Sequence, residues 1–225
     1  YPNTYKVCQS FDTEKPALVD ASEIQNLDFG FECYATQAFN APDGRVYAVS
    51  WIGLPDIDYP SDSYDYQGAL SLVKELSLKH GKLYQYPVEA VRSLRSEKEA
   101  VTYKPETNNT YELELTFDSS SVNELLLFAD NKGNGLAITV DTKMGTILID
   151  RSKAGEQYAL EFGSQRSCSI QAKETVVNIV DKSIFEIFIN KGEKVFTGRV
   201  FPNDKQTGIV IKSGKPSGNY YELKY

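Results

Sequence analysis

Carboxylates dominate the residues of this chain that could do chemistry. Paired acids suit glycoside hydrolysis, one as proton donor and one as nucleophile or base. With 31 Asp and Glu in the chain, however, many pairs arise by accident. Glu112 with Glu114, and Glu97 with Glu99, are read here as solvated strand and loop faces. The stretch 56–65, DIDYPSDSYD, concentrates four Asp and two Tyr in ten residues. Tyrosine rings beside short acids can receive a sugar, its apolar face stacked and its hydroxyls donated to carboxylates. The same oxygens could face Ca²⁺, but the ligand spacing of an EF-hand is missing, so no metal or cofactor is expected. His80 is the single histidine and sits in a turn-like Lys79-His80-Gly81, which predicts an exposed ring rather than a triad base. Cys8, Cys33 and Cys168 are odd in number and far apart, so free buried thiols are expected rather than a disulfide framework or zinc ribbon.

The elements that must position such groups are strands. Short alternating runs broken by Gly, Asn, Asp and Pro recur along the chain, as in antiparallel β structure. Residues 33–39 and 45–52 flank Asn40-Ala41-Pro42-Asp43-Gly44, where Pro fixes one φ and Gly accepts a positive one, so a hairpin is predicted. Runs at 68–78 and 82–86 continue a four-stranded meander, the size of one propeller blade with its approach loops. Residues 87–95, PVEAVRSLR, break the alternation. Pro87 suits a first helical position, and Val88, Val91 and Leu94 or Arg95 share one face, so a short helix is predicted and a domain boundary near residue 96 follows. Beyond it, strands are expected at 110–118, 123–129, 135–141, 145–150, 174–180, 184–190, 193–201 and 207–212. That spacing fits a two-sheet β-sandwich. On the first of these strands Tyr111, Leu113, Leu115 and Phe117 share one face, and Glu112 and Glu114 the other.

Length and charge exclude several classes. A chain of 225 residues can bury roughly 70% of its unfolded surface, enough for one large core or two modest ones. The 24 Lys and Arg against 31 Asp and Glu leave a net charge of −7 with no basic run, so no nucleic-acid partner is expected. No apolar stretch approaches the length of a membrane span, and none is expected to meet a membrane. The opening Tyr-Pro-Asn-Thr reads as an interior point of a longer protein.

More specific signals come from a resemblance. DFGFECYATQAF (28–39) resembles the D-[YF]-G-x-[DE]-x-Y-A-x-[QK]-[ST]-F stretch of glycoside hydrolase family 32, the β-fructofuranosidases. GRVYAVSWIGLPDIDYP (44–60) is similar to that family's G-R-x-x-x-x-W-[MI]-G segment, its extension resembling the sucrose-6-phosphate hydrolase branch. LSLVKELSLKHGKLYQYPVEAVRSLR (70–95) resembles the end of the last propeller blade and the linker. GTILIDRSKAG (145–155) and DKSIFEIFINKGEKVFTGRVFP (181–202) resemble two stretches of the C-terminal sandwich. Departures are Val73-Lys74 for Pro-Arg, Asp65-Tyr66 for Gly-Trp, and Gly198 for the Ser before the arginine.

The resemblance implies an all-β chain: residues 1–95 the last blade of a five-bladed β-propeller plus linker helix, and 96–225 a C-terminal β-sandwich. It implies retaining cleavage of a β-fructosidic bond in sucrose or sucrose 6-phosphate. The family's three carboxylate motifs are absent: there is no N-D-P-N-G, and none of the six arginines precedes Asp. Glu32-Cys33 echoes E-C-P, but Tyr34 replaces the Pro, and Glu32 is read as a structural acid of the blade. No catalytic residue is therefore assigned, and this portion is expected to be inactive alone. For substrate binding the resemblance points to Asp28, although Phe31 stands where plant relatives carry a lysine partner. Trp51, the single tryptophan, is the second candidate, with lining of the sugar site and blade core both open. The expected partners are the missing N-terminal propeller half, a small sugar and, for the sandwich, a second copy of the chain in a homo-oligomer. A carbohydrate-binding module centred on 96–225, or a purely structural or dimerisation domain, stands as the alternative. The sucrose-6-phosphate flavour and unpaired thiols point to the cytoplasm.

Overall fold

The computed structural model describes residues 3–117, 122–171 and 175–225. Twenty strands, three short 3₁₀ helices and no α-helix make up the described residues, so the chain is nearly all β. The first strands, β1 (Thr4–Tyr5), β2 (Ser10–Asp12), β3 (Ala17–Val19) and β4 (Gln25–Asn26), form two small ribbons, β1 with β4 and β2 with β3. Then come β5 (Tyr34–Asn40), β6 (Val46–Ile52), β7 (Ala69–Leu70), β8 (Lys74–Lys79) and β9 (Lys82–Pro87). They make an antiparallel sheet ordered β5-β6-β8-β9, with β7 beside β6. The expected hairpin is present. The Asp43 carboxylate accepts the Arg45 N–H at 3.0 Å, and Gly44 turns the chain at φ 83°. The run 68–78 is two strands rather than one, because the Ser50 N–H donates to the Ser71 hydroxyl at 3.0 Å instead of to a strand carbonyl.

The segment expected to be a helix is a 3₁₀ helix, Glu89–Leu94, and Pro87 closes β9 instead of opening it. Its apolar residues Val88, Val91 and Leu94 recur every three positions, which is the 3₁₀ period. The remaining strands are β10 (Glu99–Ala100), β11 (Thr110–Thr116), β12 (Val122–Ala129), β13 (Leu136–Asp141), β14 (Thr146–Asp150), β15 (Gln165–Ser169), β16 (Thr175–Asp181), β17 (Ile184–Ile189), β18 (Lys194–Arg199), β19 (Gly208–Ser213) and β20 (Ser217–Glu222). Strands β10, β15 and β20 have no counterpart in the alternation; β15, QRSCS, carries no large apolar residue. The ends of two expected strands, Asp118 and Glu174, lie outside the described residues.

Two antiparallel sheets result, β10-β20-β11-β16-β17-β18 and β15-β14-β13-β12-β19. Leu113 and Leu115 of β11, Ile187 of β17, Leu127 of β12, Ile138 of β13 and Ile149 of β14 join in one core between them. The six-stranded sheet is covered on its other face too. Phe188 and Val195 pack there against Leu72, Tyr86, Val91 and Leu94 from the first part of the chain. For this reason Glu112 and Glu114 are not a solvated face: Glu112 is buried and both acids bind Arg95, which follows the 3₁₀ helix.

The sheet edge at β18 is closed from the same side. Phe29 N–H donates to the Val195 carbonyl and Phe31 N–H to that of Thr197, both at 2.8 Å, so residues 29–31 run along β18 as an added strand. A Cβ at Gly30 would stand 2.0 Å from the Thr197 carbonyl oxygen, so only glycine permits this approach.

Candidate functional site

The DFGFE segment that closes β18 also brings Asp28 and Glu32 to one cavity of about 320 Å³, with Cys33, Arg151 and Arg166 in its wall. Asp28 Oδ1 accepts the N–H of Gly30 at 2.7 Å and of Thr197 at 3.0 Å, and Oδ2 accepts the Thr197 hydroxyl at 2.7 Å. Burial raises the carboxyl above its ordinary value, against the attraction of Lys74 and these hydrogen bonds. Lys74 is thus the cation that faces Asp28, from a different strand than the lysine position that Phe31 fills. Phe31 itself is packed between two guanidinium groups, Arg151 at 4.0 Å and Arg166 at 4.5 Å from its ring centre.

Glu32 is fully buried. Its Oε1 accepts from Arg151 and from the Tyr158 hydroxyl, the latter at 2.8 Å, and Oε2 accepts the Arg199 N–H at 2.9 Å. Every partner lies in the second half of the chain. A carboxylate held this way joins two parts of the molecule. Trp51 lies away from that cavity, on β6, where its ring is half-buried 6.5 Å from that of Tyr34. A Cβ at Gly53 or Gly68 would stand 2.5 and 2.0 Å from the indole, so two glycines open the slot it occupies. The two expected sugar-binding residues therefore do not share a cavity.

Beneath Asp28 lies a charged pair unanticipated from sequence. Lys74 and Glu186 are buried, their Nζ and Oε2 3.7 Å apart. Burial works against the Lys74 charge, but Glu186, Cys33 and Asp28 overcome it and hold the ammonium above its usual pKa. Burial raises Glu186 despite Lys74 and the Leu72 N–H, which Oε1 accepts at 2.7 Å. Cys33 sits beside this group, and burial with the charge of Asp28 pushes its thiol up to about 11. No disulfide joins the three cysteines; Cys33 is buried, while Cys8 and Cys168 are partly buried. The available signal for the pair was a lone Glu inside IFEIFI and a Lys at the head of β8, the strand that pairs with β6.

The rest of the sequence candidates stand apart. His80 is exposed in its turn at φ 51°. In the acidic 56–65 stretch, residues Pro60–Tyr64 form a 3₁₀ helix, and Asp62 caps it by accepting the Tyr59 N–H at 3.0 Å. No group of three or more His, Cys, Asp or Glu among the described residues could hold a metal ion, and no helix there is long and apolar enough to cross a membrane.

Comparison with known proteins places this geometry in context. The model of the glycosyl hydrolases family 32 N-terminal domain matches residues 1–87, and that of the family 32 C-terminal domain matches residues 81–224. Sucrose-6-phosphate hydrolase of Lactococcus lactis subsp. lactis is 43% identical over 215 residues, which cover 93% of this chain and 43% of that protein. The structure of sucrose-6-phosphate hydrolase from Lactobacillus gasseri superposes with a TM-score of 0.95 at 33% identity, covering 100% of this chain and 48% of that one. The GH32 beta-fructofuranosidase of Bombyx mori shares the fold at a TM-score of 0.80 and 24% identity. The chain spans slightly less than half the length of these relatives.

Proposed function

This chain belongs to glycosyl hydrolase family 32, and we propose that it is the C-terminal portion of a β-fructofuranosidase acting on sucrose or sucrose 6-phosphate. In this reading residues 1–95 are the last blade of a five-bladed propeller with its linker, and 96–225 are a β-sandwich that backs it. The upstream half supplies the nucleophile and the acid that protonates the leaving group, in a retaining displacement. The present portion supplies wall and support. Asp28 holds the segment 28–31 against β18 so that this wall keeps its shape, and Trp51 presents an aromatic face toward the sugar. Cys8 and Cys33, in no disulfide, support a reducing compartment such as the cytoplasm.

The observation that carries the reading is the state of the two acids. Asp28 and Glu32, the carboxylates of the family-like segment, spend their oxygens on Gly30, Thr197, Arg151, Tyr158 and Arg199. Both are engaged in holding the chain to itself, which supports a structural part for them rather than a catalytic one. The expected result is no release of glucose or glucose 6-phosphate from sucrose or sucrose 6-phosphate by the 225-residue chain, and hydrolysis once the upstream half is co-expressed. Turnover by the chain alone would overturn the proposal.

A further inference from the structure

A second cavity, of about 610 Å³, shares no residue with the one at Asp28. It opens between the 3₁₀ helix Pro60–Tyr64 and the two-sheet part of the chain, and its wall includes Tyr59, Ser61, Tyr64, Tyr66, Ser183 and Phe201. Its size falls within the roughly 300–1,000 Å³ of small-molecule sites. Tyr64 and Tyr66 are exposed, at 78% and 52%, although both are large aromatic residues. Such rings on a rim, above polar groups, are the usual provision for stacking a flat, partly apolar ligand.

Behind this wall sits a buried arginine with no carboxylate. Arg199 is 1% exposed and takes part in no ion pair among the described residues. Its guanidinium faces the rings of Phe201, Tyr59 and Tyr66 at 4.5, 5.7 and 5.8 Å, which compensates part of the charge. It donates to the Ser183 hydroxyl at 3.0 Å and the Ser61 hydroxyl at 3.3 Å, and its Nε has no partner. A serine oxygen that accepts from a guanidinium has its own proton left to give, and a more acidic one. The arginine thereby sets both cavity serines as donors toward whatever enters.

We propose that this cavity is a saccharide-binding site for one or two neutral sugar rings, stacked on Tyr64 and Tyr66 and hydrogen-bonded by Ser61 and Ser183. Neutral sugar fits better than an anion. The charge of Arg199 is screened behind two hydroxyls and three rings, Glu156 offsets Lys182 on the same wall, the Lys182 ammonium donates to the Asn108 carbonyl, and Asp62 and Asp65 flank the cavity in sequence. Glu156 is an exposed carboxylate suited to accept from sugar hydroxyls.

The test is titration of the 225-residue chain with sucrose and with a fructose-containing trisaccharide, followed by saturation-transfer NMR and calorimetry. Saturable binding is expected, weakened at least about tenfold by Tyr64→Ala and by Tyr66→Ala, since a stacked ring contributes about that much. Both side chains are exposed, so unchanged melting of the variants separates binding from folding. Met144→Ala, an exposed side chain outside both cavities, should leave the affinity as it is, and inorganic phosphate should not compete. Absence of saturable binding, insensitivity to both tyrosine variants, displacement by phosphate, or loss of binding when the upstream half is added would each overturn the proposal. Failure here is distinct from failure of the proposed activity, because a Tyr66→Ala chain is still expected to restore hydrolysis with the upstream half.

Discussion

Lys74 and Glu186 set the stakes at the level of single residues. An ion pair out of water returns little net stability, because desolvation offsets the attraction, but removal of one member leaves the other charged and unpaired. Lys74→Met should therefore cost about 3–5 kcal/mol in denaturant unfolding. The double variant Lys74→Met/Glu186→Gln should recover most of that, since Gln still accepts the Leu72 N–H that Glu186 Oε1 accepts now. The pH dependence has a definite sign. Burial already raises the folded pKa of Glu186 above its ordinary value, and loss of the Lys74 charge raises it further. A group with a raised folded pKa gives its full stability below the unfolded value and loses it as pH rises through the folded one. The Lys74→Met deficit should thus be smaller at pH 5 than at pH 8; a deficit independent of pH would mean that Glu186 is not the stranded charge.

At the scale of elements, one side chain reinforces the backbone bonds of Leu94 and Ser96 that tie the end of the 3₁₀ helix to the six-stranded sheet. Arg95 Nε and Nη2 donate to the two oxygens of Glu112 at 2.7 and 2.5 Å, Nη2 also to Glu114 at 2.7 Å, and the guanidinium lies 4.4 Å over the Tyr221 ring. The Arg95 contacts outweigh burial and hold the Glu114 carboxyl below its ordinary value. Arg95→Ala should cost about 3 kcal/mol by leaving Glu112 buried and unpaired. Arg95→Lys should recover less than half, because an ammonium cannot form the fork or stack on the tyrosine. Equal stability of the Lys variant and the parent in urea would rule out that geometry. This element also marks what could be read from sequence. The hairpin of β5 and β6 was legible because Pro42, Asp43 and Gly44 act locally, and the inner face of β11 because Tyr111, Leu113 and Leu115 alternate. Burial of Glu112 was not, since its cover comes from Arg95 and Tyr221, one before the strand and the other more than a hundred residues after it. Alternation reports one buried face; a sheet packed on both sides defeats it, and the same blindness hid Glu186 and Arg199. Asp28 was found as a residue of interest, but two of its three hydrogen bonds come from Thr197 of β18, far away in the chain.

For the whole molecule, the exposed surface is the informative quantity. A compact monomer of 25.2 kDa exposes about 10,300 Å². This chain exposes 12007 Å², about 1,700 Å² more than that scaling gives. Large apolar side chains lie bare early in the chain: Phe11, Ile24, Phe39 and Leu70 are each more than half exposed. Most of β5, an outer strand of its sheet, is also uncovered. An apolar flank next to an open strand edge invites pairing with another chain. In the proposed enzyme the neighbouring propeller blades cover that flank. The upstream half, added at about a hundredfold excess over its dissociation constant, should then stabilise this chain by about 2.7 kcal/mol. For a domain of this size that raises the melting temperature by about 5–10 °C. It should also quench the fluorescence of a hydrophobic dye bound to the chain alone, and Phe39→Ser with Leu70→Ser should remove most of that dye signal beforehand. A melting temperature and dye signal that ignore the upstream half would place the uncovered face outside the propeller contact and leave the family fold without its expected neighbour.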